Sequence, residues 1–168
     1  MAVLGPQERL QPALLDRLTD DAPYQTTEAP TERVLSKAKL RQAVLRDLVW
    51  LFNTTQMGDN TVFYGLPDAE HSVINYGLPV LSGQTASTFD VLELEQAIKQ
   101  AILSFEPRII PSTLEVETLA MDNLMDNHNT LSVQIRGTLW AQPVALELLL
   151  RTEVDLETGQ VEIRDLTA

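Results

Sequence analysis

Val91-Leu92-Glu93-Leu94-Glu95-Gln96-Ala97-Ile98-Lys99-Gln100-Ala101-Ile102-Leu103-Ser104-Phe105 runs into Glu106-Pro107-Arg108, and Leu114-Glu115-Val116-Glu117-Thr118 follows. In the first stretch Val91, Leu94, Ala97, Ile98, Ala101, Ile102 and Phe105 recur with the 3.6-residue period of a helix. In the last, apolar and acidic residues alternate with period two, as in a half-buried strand. Pro107 lacks an amide donor and biases Glu106 away from helical geometry, so the helix ends there. A carboxylate and a guanidinium are thereby held at a corner between helix and sheet. Ser87 and Asp90 fit a capping box at the helix start, with Asp in place of the usual Glu.

Downstream of the corner the strand pattern persists. Leu131, Val133, Ile135 and Leu139 alternate with polar residues, and so do Val144, Leu146, Leu148 and Leu150 with their neighbours. Glu157-Thr158-Gly159-Gln160 reads as a turn and Val161-Glu162-Ile163-Arg164 as a short last strand. Sequential strands tend to be neighbours, which predicts an antiparallel meander of three or four strands.

Upstream, Leu40, Val44, Leu48, Leu51 and Phe52 mark a helix that starts at Thr31 or Ser36 and ends near Asn53. Between the two long helices, Tyr-Gly-Leu-Pro occurs at Tyr64 and again twelve residues later at Tyr76. Two copies are too few for a repeat architecture, and they predict shaped loops with short helical or extended pieces. Gln7 to Leu18 reads as a short helix with Leu10, Leu14, Leu15 and Leu18 on one face. The proline-broken segment from Asp20 to Pro30 follows it as a linker. The expected fold is α+β: two main helices on one face of a three- to four-stranded antiparallel meander, with an N-terminal helical arm. The expected division is 1–30 for arm and linker and 31–168 for the domain.

The chain has 168 residues, enough to bury roughly 70% of its unfolded surface without a disulfide or a metal. It has no cysteine, which excludes disulfides, thiol nucleophiles and Cys-based metal centres. Its net charge is −12, from 24 acidic and 12 basic residues. Neither half is basic, which argues against nucleic acid and anionic membrane surfaces as partners. No apolar run approaches the roughly 20 residues of a membrane span, and Met1 to Pro6 lacks the features of a secretory signal. These readings predict a soluble, intracellular protein, and no cofactor is expected.

Catalytic patterns are weak. His71 and His128 lie in loops without a nucleophile motif nearby, and solvated histidines are the simpler reading. Asp122, Asp126 and His128 match neither an EF-hand nor a zinc spacing, and such residues are expected at a strand-connecting turn. A glycosidase needs a pair of carboxylates, one of them kept protonated. Asp90, Glu93, Glu95 and Glu106 qualify by type alone, with Glu93 and Glu95 expected on the solvent side. Arg108 favours the ionised form of Glu106, the wrong state for a general acid. The Glu106-Pro107-Arg108 corner keeps two readings. It is an internal staple, or it is a grip in which the arginine fork meets a partner.

Three segments carry a resemblance. They are Arg46-Asp47-Leu48-Val49-Trp50-Leu51-Phe52-Asn53-Thr54, Ser72-Val73-Ile74-Asn75-Tyr76-Gly77-Leu78-Pro79, and Phe105-Glu106-Pro107-Arg108. With Leu14-Leu15-Asp16-Arg17-Leu18 and Asp155-Leu156-Glu157-Thr158-Gly159, this ordered set resembles the TssE family. These are wedge subunits of type VI secretion baseplates, related to a wedge protein of contractile phage tails. Val80 departs from the pattern, which has an acidic residue after Leu-Pro, and valine cannot accept a hydrogen bond there. The resemblance implies a non-enzymatic baseplate part docked at the inner membrane. It implies wedge partners TssF and TssG, and a sheath of TssB and TssC whose first ring the subunit templates. It also implies that Glu106, Pro107 and Arg108 bind partners. Sheet-edge pairing would supply the mechanism for templating. The alternatives are a lysozyme-like glycoside hydrolase, after a label some members carry, and a generic sheet-edge adaptor.

Overall fold

The structure is a computed structural model and describes residues 13–19, 23–24, 36–58, 62–81, 91–119, 130–141 and 145–167. The capping pair Ser87 and Asp90, the Asp122, Asp126 and His128 loop, strand residue Val144 and most of the linker lie outside these residues. The described helices are α1 (Leu14–Leu18), α2 (Lys37–Phe52), α3 (Pro67–Glu70) and α4 (Val91–Phe105). The strands are β1 (Glu115–Thr118), β2 (Thr130–Leu139), β3 (Leu146–Asp155) and β4 (Val161–Asp165). They form one antiparallel sheet in the order β1-β2-β3-β4, the meander expected from the alternating pattern.

The helix stripes read from the sequence face the sheet. Leu40, Val44, Leu48, Leu51 and Phe52 of α2 are buried, as are Leu94, Ile98, Ala101 and Ile102 of α4. They share one core with Leu131, Val133, Ile135 and Leu139 of β2 and with Leu148, Leu150 and Val154 of β3. Thr152 is a polar residue in this core, and its hydroxyl donates to the Val133 carbonyl at 2.9 Å. That bond removes the penalty of burying a free hydroxyl. At the start of α2, the Ser36 hydroxyl accepts from the Lys39 amide at 3.2 Å. β3 runs further than the alternation suggests, to Asp155, whose Oδ1 accepts the amides of Glu157 (2.8 Å) and Thr158 (3.2 Å) to set the next turn. The Thr158 side chain and then those two amide bonds hold the Asp155 carboxyl below its ordinary value.

Between the long helices the chain is short-range structure: α3, a 3-10 turn over Val73–Asn75, and a parallel bridge between Thr55 and Leu78. The Leu78 amide donates to the Thr54 carbonyl at 2.8 Å, and the Gln56 amide donates to the Leu78 carbonyl at 2.8 Å. Gly77 makes this bridge possible. Its φ is +128°, and a Cβ there would stand 2.2 Å from the Thr54 oxygen.

Both outer strands meet side chains of the long helices. The Asn53 carboxamide, just past α2, accepts from the Val161 amide (3.0 Å) and donates to the Val161 carbonyl (2.9 Å). Glu95 of α4 accepts from the Thr118 amide at 2.6 Å. Glu95 was expected to face solvent; instead it tethers α4 to β1.

Candidate functional site

The Glu-Pro-Arg corner is built by three events in sequence. The Glu106 amide closes the last helical bond of α4, to the Ile102 carbonyl at 2.8 Å. Pro107 then ends the helix, and a turn bond joins the Ile109 amide to the Glu106 carbonyl at 3.2 Å. The emerging backbone joins the sheet beside β2. The Trp140 amide donates to the Arg108 carbonyl (2.8 Å), and the Ile110 amide donates to the Thr138 carbonyl (2.9 Å). The corner is therefore continuous with the β1 side of the sheet.

Glu106 is buried, with its side chain 2% exposed. Its carboxylate is fully engaged by its own corner. Arg108 Nε donates to Oε1 at 2.6 Å, Arg108 Nη2 donates to Oε2 at 2.5 Å, and the Arg108 amide donates to Oε1 at 3.1 Å. This is the bidentate fork that arginine makes and lysine cannot. Arg108 Nη2 also donates to Asp47 Oδ2 of α2 at 2.5 Å. Burial acts to lower the Arg108 pKa, but the hydrogen bonds and charges of Glu106 and Asp47 outweigh it and raise it above its ordinary value.

The ion pairing continues outward from Asp47. Arg46 Nε donates to Asp47 Oδ1 at 2.9 Å, and Arg46 Nη1 donates to Asp16 Oδ1 of α1 at 2.6 Å. Asp16 is the main cause of the raised Arg46 pKa, with burial opposing. The Arg46 guanidinium also sits 5.1 Å from the Trp50 ring centre. Glu106, Arg108, Asp47, Arg46 and Asp16 thus form one chain of alternating charge. It runs from the helix–sheet corner, across α2, to the N-terminal helix.

Tyr76 brings in the middle segment. Its ring packs edge-on against Phe105, with centres 5.1 Å apart and planes at 68°. Its hydroxyl makes a long bond to the Asp47 carbonyl at 3.4 Å. Burial, then the charges of Asp47 and Glu106, raise its pKa. Next to it, buried Asn75 accepts the Gly58 amide at 3.2 Å. The three segments quoted above therefore converge. Asp47 comes from the first, Tyr76 from the second, and Phe105, Glu106 and Arg108 from the third.

Of the sequence candidates, Glu106 and Arg108 are joined directly, while Pro107 faces solvent. Glu93 and His71 are exposed and lie on other elements. Asp47, Arg46, Asp16 and Tyr76 were not singled out by sequence reasoning. The adjacent charges Arg46-Asp47, off the apolar stripe of α2, were the available signal. Chemically, every oxygen of Glu106 is committed to a donor, and a general acid must instead be free to give a proton to substrate. The arrangement is that of a structural clamp.

The family model for baseplate wedge protein gp25 matches residues 38–144, well over half of the chain. The chain belongs to the baseplate wedge protein gp25 family, to which TssE also belongs. The three converging segments all lie inside the match, whereas Leu14–Leu18 and the β3–β4 turn lie outside it. No curated protein and no solved structure matches. Membership supports a structural role in a baseplate, among other baseplate components. No helix among the described residues is long and apolar enough to cross a membrane.

Proposed function

We propose that the chain is the wedge subunit of a type VI secretion baseplate. In this reading it joins TssF and TssG and templates the first ring of the TssB/TssC sheath. It works in the cytoplasm, in a baseplate docked at the inner membrane. The observation that carries the reading is the convergence of three TssE-like segments on one ion-paired corner, inside the matched stretch. A partly buried charge chain ties α2, α4 and the sheet edge in one relative geometry, as a template for polymerisation requires.

Glu106, Pro107 and Arg108 serve as a partner contact in this reading. Glu106 is spent internally, so the corner offers a partner the exposed Pro107 ring and the outer side of Arg108, whose side chain is 23% exposed. The internal staple shapes the surface that the partner meets. Sheath docking proceeds by addition of a strand to a free sheet edge.

The test is co-assembly of the full chain with TssF, TssG and the sheath proteins. Sheath should sediment with wedges that contain the chain and not with wedges that lack it. Hydrolysis of peptidoglycan by the purified chain, lost in Glu106→Gln, would replace the structural reading with an enzymatic one.

A further inference from the structure

The sheet has two outer strands, and they differ in the charge they present. Along β4, Asn53 takes both the Val161 amide (3.0 Å) and the Val161 carbonyl (2.9 Å), as a neighbouring strand would. Further along, Arg41 approaches Asp165 at 3.4 Å and donates to the Glu147 carbonyl, beyond the end of β4. Arg41 belongs to α2 and Asn53 caps it, so α2 takes the β4 backbone at Val161 and meets the strand's far end through the Asp165 side chain. On the outer face of β4, Arg164 lies 3.3 Å from Glu153 and 3.5 Å from Glu162, so acid and base are already paired there.

The β1 edge is closed at one point. The bond from the Leu119 amide to the Ser132 carbonyl (2.8 Å) sets the alternation. Residues 115, 117 and 119 turn their backbone groups to β2, so Val116 and Thr118 turn theirs outward. Glu95 takes the Thr118 amide. Among the described residues, no bond is recorded to the outward N–H and C=O of Val116. On the outer face, Glu115 and Glu117 flank it, both exposed. Across β2 they stand opposite Arg136 and Gln134; on the other side no strand pairs with β1 among the described residues. Val116 between them is half-buried against the core.

We propose that β1 is the edge that receives a strand, and that the strand is basic, with Lys or Arg at alternate positions and apolar residues between. This rests on the strand-addition reading above and names its edge and the partner's chemistry. Val116 exchanges both backbone bonds with the incoming chain. The two basic residues pair across the strands with Glu115 and Glu117. The net charge of −12 draws such a segment in. The apolar residues extend the core beside Val116.

The test uses the isotope-labelled full chain and two short peptides, one alternating Lys and Val, the other Glu and Val. The Lys peptide should shift and protect the Val116 amide and leave Ile163 of β4 unchanged. It should bind roughly tenfold tighter than the Glu peptide, a preference that shrinks with added salt. The double variant Glu115→Lys/Glu117→Lys should reverse the preference. Val116→Pro removes an outward donor and no ladder bond, so a folded Val116→Pro chain should lose binding. If that variant does not fold, the charge-reversal pair decides alone. Shifts centred on Ile163, equal binding of the two peptides, or no binding of either would overturn the proposal. Sheath co-assembly that fails while the Lys peptide binds at Val116 would sink the assembly reading and leave this one standing.

Discussion

Glu106 shows how one residue's surroundings decide between roles its type leaves open. A lone buried carboxylate is a candidate acid; this one sits 2% exposed under a bidentate arginine that also reaches Asp47. Removing one partner of a buried ion pair leaves an uncompensated charge, which costs about 3–5 kcal/mol. Arg108→Ala should therefore lower the melting temperature by something on the order of 10 °C for a chain of this size. Glu106→Gln combined with Arg108→Met should recover much of that loss, because neither charge is then stranded. Thermal unfolding of the two variants and the parent checks this. A loss below about 1 kcal/mol for Arg108→Ala, the level of exposed pairs, would mean that the staple is slight. Measuring assembly per folded molecule in the same variant separates the partner contact from the staple.

Among the elements, the helices and strands were legible because each repeats a period. The apolar stripe of α4 and the alternation of β2 state which face is buried without reference to the rest of the chain. The loop between α2 and α4 has no period, and its form depends on a contact the sequence does not announce. Gly77 shows the cause: its +128° φ and its closeness to Thr54 both come from the Thr55–Leu78 bridge. Gly77→Ala should destabilise by several kcal/mol, since a strained backbone and a clash with a main-chain oxygen add. Chemical denaturation of the variant tests it; a change under about 1 kcal/mol would show that the bridge can open without cost to the core. The candidate site was half legible for the same reason. Glu106 and Arg108 lie two positions apart, whereas Asp47 is 61 positions from Arg108 and Asn53 is 108 positions from Val161. Pairings at such distances follow from how the elements pack, and no local pattern encodes them.

At the scale of the whole molecule, the open point is how firmly the N-terminal arm belongs to the fold. Of the leucines that read as the apolar face of α1, Leu14, Leu15 and Leu18 are exposed, Leu14 at 71% and Leu18 at 74%. The tie the structure records is polar, from Asp16 to Arg46, whose side chain is 34% exposed. A partly exposed ion pair of this kind contributes about 0–1 kcal/mol. The core beneath it is made by α2, α4 and the sheet, and among the described residues α1 adds none to it. We therefore propose that the chain divides into an arm and linker over 1–30 and a self-sufficient domain over 31–168. A chain lacking residues 1–30 should keep its cooperative unfolding and melt within about 4 °C of the parent, since each kcal/mol moves a chain of this size by about 2–4 °C. Asp16→Asn in the full chain should reproduce whatever small loss the truncation shows, because both remove the same ion pair. A drop on the order of 10 °C on truncation, not matched by Asp16→Asn, would mean that the arm contributes packing beyond the charge chain. The boundary near residue 30 would then have to be abandoned.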